Sequence, residues 1–194
     1  MNPTPALLLL LLLPGVLALG TASAATLAAA TVIAPQSEIA FVSKQMGVPV
    51  EGTFKKFTAQ VAFDPRKPET GSIALTVDTA SATLGVPETD AELPRPEWFA
   101  VSQFPKATFK SSSIKALGGG KFQVTGKLGI KGQVRDVVVP VTLTQQGGRS
   151  TATGAFAIKR LDFNIGGGEW NDTSLVANDV QVTFKLALTG LGPL

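Results

Sequence analysis

Asp179-Val180-Gln181-Val182-Thr183-Phe184-Lys185-Leu186-Ala187-Leu188 decides the fold. Every even position is apolar and every odd one is polar or small. Successive strand side chains point to opposite faces, so this stretch is a half-buried strand. The same rule recurs upstream. Phe57, Ala59, Val61 and Phe63 alternate with Thr58, Gln60 and Ala62, and Ile73, Leu75 and Val77 follow it too. Phe122, Val124, Leu128 and Ile130 share a face with Gly126, and Val137, Val139, Val141 and Leu143 share another. Shorter candidates are Ser37–Lys44, Ala107–Ile114 and Thr151–Ile158.

Turn signals separate these runs: Asp64-Pro65, Gly118-Gly119-Gly120, Gly132, Gly147-Gly148 and Gly166-Gly167-Gly168. The pattern predicts an all-β chain, an antiparallel barrel or sandwich of about eight strands. At that strand number a barrel interior is filled by side chains or just wide enough for one ligand. One segment departs from the pattern. Val86–Pro105 carries Pro87, Pro94, Pro96 and Pro105, together with Trp98, Phe99 and Phe104. Within it Thr89-Asp90-Ala91-Glu92 has the form of a helix capping box. A single helical turn is expected there, packed with its aromatics over a barrel mouth.

The chain begins with a leader. Leu7–Leu13 is an unbroken leucine run, and Ala22 and Ala24 fit a small-residue cleavage site. The run is broken by Pro14 and Gly15 and is short for a bilayer span of about 20 residues. Residues 1–24 are therefore expected to be a cleaved signal peptide, and residues 25–194 one domain in the bacterial periplasm.

Composition narrows the chemistry. The 194 residues include no His, no Cys and no Tyr. That excludes the commonest general base, a thiolate nucleophile, disulfides and lipoprotein-type acylation. The formal charge of +3 is too small to indicate nucleic acid. Glu88, Asp90 and Glu92 lie in a Pro-rich loop without the spacing of a hard-metal site. Ser43-Lys44 points to opposite faces of a strand and forms no local dyad. Gly118-Gly119-Gly120-Lys121 lacks the remainder of a phosphate-binding loop and reads as a hairpin turn. No catalytic residue, cofactor or metal site is expected; Asp162 is the one carboxylate worth testing against the cavity. The basic pairs Lys55-Lys56, Arg66-Lys67 and Lys159-Arg160 read as solvated exterior, or as a loose contact with an anionic membrane worth about 1 kcal/mol per charge.

The aromatic inventory is more telling. Eleven Phe fall largely on the inward faces, where Ala59 and Gly126 leave room between them. Such an interior predicts an apolar pore rather than a filled core.

At these residues the sequence resembles the YceI-like family of bacterial periplasmic lipid-binding proteins, over about Thr31 to Thr189. The resemblance rests on Ser37–Phe54, with its Phe41-Val42-Ser43-Lys44-Gln45-Met46-Gly47, then Phe57 and Phe63-Asp64-Pro65. It continues through Glu97-Trp98-Phe99, Phe104-Pro105-Lys106-Ala107-Thr108-Phe109, Gly126–Gly132 and Val138-Val139-Pro140-Val141. It ends in Arg160-Leu161-Asp162-Phe163-Asn164-Ile165-Gly166 and Glu169-Trp170. The resemblance implies a lipocalin-like barrel that binds a polyisoprenoid or isoprenoid-quinone amphiphile for transport, storage or stress-related lipid handling, without catalysis. Many members carry His in the first strand region and before the aromatic pair; this chain has Lys44-Gln45 and Ala91-Glu92 there.

The pore is expected to be lined by Ile39, Phe41, Phe57, Val61, Phe63, Phe109, Phe122, Val124, Val182, Phe184 and Leu186, with Phe99 and Phe163 bordering its mouth. The partners expected are the isoprenoid lipid, transiently a membrane surface, and at most a second copy in a homodimer. The rival reading is a packed barrel that acts as an interaction module through its 86–105 loop, without a lipid.

Overall fold

The computed structural model describes residues 29–194, and the leader at residues 1–24 lies outside them. The strands are β1 (Ala29–Val32), β2 (Glu38–Gln45), β3 (Val48–Phe54), β4 (Phe57–Ala62), β5 (Ser72–Asp78), β6 (Ala82–Thr83), β7 (Lys106–Gly118), β8 (Lys121–Ile130), β9 (Gln133–Gln146), β10 (Arg149–Lys159) and β11 (Asp179–Thr189). All pairings are antiparallel. In the order β1-β4-β5-β7-β8-β9-β10-β11, with β11 pairing back onto β1, eight strands close a barrel; β2, β3 and β6 continue the sheet beyond β11.

β1 and β2 are one path along β11, kinked at Pro35. The Ser37 hydroxyl stitches the kink. It donates to Ile33 O at 2.9 Å and accepts from Ala187 N at 3.0 Å, so β11 loses no partner where the path bends. Below the kink β1 meets β4 and shuts the barrel. Above it β2 turns instead to β3, and β3 and β4 are not paired with each other. The wall therefore has a seam at Phe54–Phe57.

The expected strands are all present, and three more join them. β3 was hidden by Pro49 and Gly52, both poor strand residues. Pro49 is tolerated because the outer side of β3 is bordered only by β6, at Thr53 and Phe54. The Gly119-Gly120 and Gly147-Gly148 turns put both central residues at positive φ, the conformation that two-residue hairpins demand.

The helical turn in the excursion, α1 (Pro87–Asp90), starts earlier than the capping box implied. Its N-cap is Val86, without a side-chain cap bond. The Asp90 carboxylate instead reaches back to accept from Thr83 Oγ1 and Leu84 N, and Glu92 pairs with Arg95 at 2.9 Å. Proline at the first helical position fixes the start, and local side-chain bonding takes the groups that a capping box would use.

The interior falls into two apolar clusters. One gathers Phe63, Ile114, Phe122, Val124, Leu143 and Leu188 at the end closed by β1. The other gathers Ile39, Leu93, Phe99, Ile130, Phe163 and Ile165 beneath the excursion and the β10–β11 loop.

Candidate functional site

The inward faces of the strands enclose a cavity of about 350 Å³ that reaches from one cluster to the other. Period-two alternation produces it directly: Val139, Val141 and Leu143 of β9 face it, whereas Val134 and Val138 are more than half exposed. The floor is aromatic and aliphatic, with Phe63 edge-to-face on Phe122 at 5.1 Å and 86°. The interior is thus not filled by side chains, as the rival reading requires.

Ile39, Phe41, Val61, Phe63, Phe99, Phe109, Phe122, Val124, Val182, Phe184 and Leu186 all border the cavity. Two expected residues do not. Phe57 stands in the seam, where β4 is paired with β5 but has no partner on its β3 side, and lines a separate cleft with Lys55 and Lys106. Phe163 lies in the 3-10 turn Arg160–Phe163, only 2% exposed, and packs into the second cluster without reaching the lumen. Alternation tells nothing of which neighbours a strand has: Phe57 pairs with Val77 of β5 but has no β3 partner on its other side, and Phe163 lies past Lys159, the last paired residue of β10.

The ionisable and amide side chains on the cavity wall are Gln45, Glu92 and Arg160, and the hydroxyls are Ser43 and Thr89. They share one end. β2 runs into the β2–β3 turn there, and that turn holds the β10–β11 loop: Met46 N donates to Leu175 O at 2.8 Å and Ala177 N to Lys44 O at 2.9 Å. Trp98 and Trp170 meet above them with ring centres 5.7 Å apart.

Arg160 organises this end. It is 2% exposed, yet it forms no ion pair with a carboxylate among the described residues. Its Nε donates to Ala177 O (3.1 Å), Nη1 to Ile165 O and Gly166 O (2.9 and 3.0 Å), and Nη2 to Trp170 O and Val176 O (2.6 and 2.7 Å). A guanidinium has five N–H donors, and five backbone carbonyls take them all. Burial draws its pKa down, but guanidinium remains the charged form. Lys159-Arg160 is therefore not a surface pair: Lys159 points out to Asp179, and Arg160 points in. The sequence did carry the signal, because Arg160 continues the even-numbered inward face of Ala152, Phe156 and Ile158.

Lys131 is a second clamp. Its Nζ donates to Pro96 O and Asn164 O, both at 2.6 Å, and tethers the excursion to the β10–β11 loop. Gly166 N and Gly167 N both donate to Glu97 O across the same junction. Desolvation lowers the Lys131 ammonium, while the Glu97 carboxylate pulls it the other way. Asp162 is exposed and does not border the cavity. Glu92 does border it, engaged with Arg95. What this arrangement can do chemically is hold hydrocarbon along most of its length and meet polar atoms at one end.

Known proteins agree with this geometry. Residues 31–188 match the YceI-like domain family. A UPF0312 protein of Pseudomonas syringae pv. tomato is 30% identical over 182 residues, covering 87% of this chain and 93% of that protein. The crystal structure of Burkholderia cenocepacia BcnA superposes with a TM-score of 0.79 at 49% identity, covering 81% of this chain and 99% of that one. A polyisoprenoid binding domain from Saccharophagus degradans shares the fold with a TM-score of 0.63 at 19% identity, covering 83% of this chain and 98% of that domain. With its domain matched almost from end to end and its barrel closed in the same way, the chain belongs to the YceI-like family.

Proposed function

We propose that the protein binds a long apolar amphiphile of the polyisoprenoid or isoprenoid-quinone type, tail towards the closed end and head group towards Ser43, Gln45, Thr89 and Glu92. One observation carries this reading: a carbon-lined cavity whose polar lining groups gather at one end. A hydrocarbon tail offers no hydrogen bonds, so area and shape must recognise it, at about 25 cal/mol per Å² of apolar surface buried. The polyisoprenoid binding of the Saccharophagus degradans domain supports the choice of ligand class.

The role is carriage or storage of that lipid in the periplasm, after removal of residues 1–24. Exposed Met46 (76%) and Leu175 (41%), joined through the backbone, leave apolar surface beside the mouth together with Trp170. That supports brief contact with a lipid surface during exchange. Organic extraction of the purified protein followed by mass spectrometry tests the reading, with polyprenol and quinone added back. Co-purification or saturable uptake of such a lipid is expected. Repeated recovery of empty protein that takes up neither lipid overturns it.

A further inference from the structure

Three inward-facing phenylalanines each lie against a glycine of the neighbouring strand. Phe41 pairs with Gly52 across β2/β3, and Phe184 with Gly154 across β10/β11. Phe109 of β7 leans along its seam onto Gly126 of β8. A Cβ built on any of the three glycines would come closer than 3 Å to the ring, a distance that real Cβ contacts essentially never show. All three rings border the cavity. Cross-strand Cβ atoms normally stand about 5 Å apart and hold facing side chains upright off the sheet. Where one partner is glycine, the ring folds down onto the bare backbone instead. The lumen then loses the thickness of a ring rather than its length. Glycine weakens a strand interior, so its presence at three inward positions calls for such a packing reason.

We propose that these three Phe–Gly pairs set the bore of the cavity and make it wide enough for a methyl-branched chain in preference to a straight one. The proposal rests on the chain-binding function above and names the structural source of its selectivity. A straight alkyl chain needs only a narrow channel. An isoprenoid carries methyl branches at regular intervals and needs a wider one along its whole length. Two of the pairs lie within the closed ring and the third where β2 and β3 extend the sheet beyond β11, so they widen the cavity at three separate points of its wall.

Gly52 is the position that can be altered without moving the backbone. The atoms nearest its added Cβ are ends of side chains, Cε2 of Phe41 at 2.7 Å and Cδ2 of Leu84 at 2.8 Å among them. At Gly126 and Gly154 a backbone carbonyl stands 2.5 Å away, that of Lys110 or Pro140, so substitution there would part the strands. In Gly52→Ala the Phe41 ring must swing into the lumen.

The test compares phytol with hexadecanol, alcohols of equal backbone length that differ in methyl branching and in one double bond beside the hydroxyl-bearing carbon, by titration against the full chain and its variants. The wild type is expected to prefer phytol. Gly52→Ala is expected to lose about tenfold in phytol affinity, the equivalent of about 1.4 kcal/mol, with hexadecanol little changed. Adding Phe41→Leu to Gly52→Ala removes the displaced ring and is expected to restore the preference. Phe41→Leu alone widens the same point without touching Gly52 and is expected to raise the preference, which keeps the test open should Gly52→Ala fail to fold. An unchanged phytol-to-hexadecanol ratio in both single variants overturns the proposal while leaving chain binding intact. A wild type that binds neither alcohol overturns the chain-binding function itself, and with it the proposal.

Discussion

At the closed end, Phe122 meets Phe63 edge-to-face, Leu143 and Leu188 complete the floor, and β1 bridges β4 to β11. At the other end a buried guanidinium and a lysine hold three segments of irregular chain by their carbonyls. The two ends bound the same cavity by different means. Strand side chains reach the closed end in a fixed alternation, so carbon alone can fill it. Loops bring carbonyls that have lost their ladder partners, and a buried carbonyl without a donor costs about 1–3 kcal/mol. A barrel that opens at one end and stays shut at the other needs donors only where its strands stop.

If that contrast holds, the two ends must fail differently. The largest effect is expected at Arg160. Arg160→Met keeps the bulk and removes all five donors. Water entering the loop offsets part of the loss, leaving a cost of about 4 kcal/mol. The melting temperature should fall on the order of 10 °C. Amide exchange should quicken in residues 160–177 and 94–101 before it does in β8 and β9. Arg160→Lys should recover only part, since an ammonium has three donors for five carbonyls. A uniform loss of protection across the barrel would show that the guanidinium stabilises the whole fold and not one end.

Phe122→Ala tests the opposite end. Truncating a buried Phe costs 3–5 kcal/mol, and about 3 kcal/mol is expected here because the ring already borders a cavity. Protection should now fall throughout the barrel strands, because the floor is built from side chains of most of them. Calorimetry with amide exchange on the two variants distinguishes the patterns. If Phe122→Ala opened only the mouth loops, the division into two ends would be wrong.

The contrast also explains what the sequence disclosed. The closed end was legible almost residue by residue, because alternation in 57–63, 122–130, 137–143 and 180–188 states which side chains face inward. Legibility stopped where the period stopped. Alternation in its own run puts Phe57 in the pore; nothing in that run shows that β3 fails to pair with β4 beside it. Phe163 reads as a rim aromatic, but it follows the last paired residue of β10, and the 3-10 turn packs it into the cluster beneath the excursion, short of the lumen. Thr89-Asp90-Ala91-Glu92 fits a capping pattern, yet Asp90 spends its oxygens on Thr83 and Leu84. Lys159-Arg160 looks like one charged pair, but strand geometry sends neighbours to opposite faces. The five acceptors of Arg160 come from residues 165–177, which no local pattern brings together.

Lys131 offers a milder test of the loop-built end. Lys131→Met removes the donor shared by Pro96 O and Asn164 O from a half-buried site. A loss of about 1.5 kcal/mol is expected. Limited proteolysis should show the excursion around residues 94–101 released more readily, with the global melting temperature lowered by only a few degrees. Unchanged cleavage there would mean that the Gly166 and Gly167 bonds to Glu97 O hold the junction by themselves.

Acid offers the smallest and most local effect. Asp90 and Asp172 both lie in the loop-built end, and both are held below the ordinary carboxylate value of 3.8. Thr83 and Leu84 donate to Asp90, and the hydroxyl and amide of Ser174 donate to Asp172. Each carboxyl therefore binds its proton more weakly in the folded protein than in the unfolded chain. Its contribution is complete above that ordinary value and is lost as pH falls through the lower folded value. Below about pH 4, α1 and the turn at Asp172–Ser174 should loosen while β8 and β9 keep their protection. Amide exchange of Leu84 and Ser174, whose N–H groups donate to these carboxylates, reports it directly. Asp90→Asn should remove the acid response at Leu84 and leave that at Ser174. Loss of both responses together would mean that the two loops open as one unit, with the excursion and the β10–β11 loop forming a single lid over the cavity.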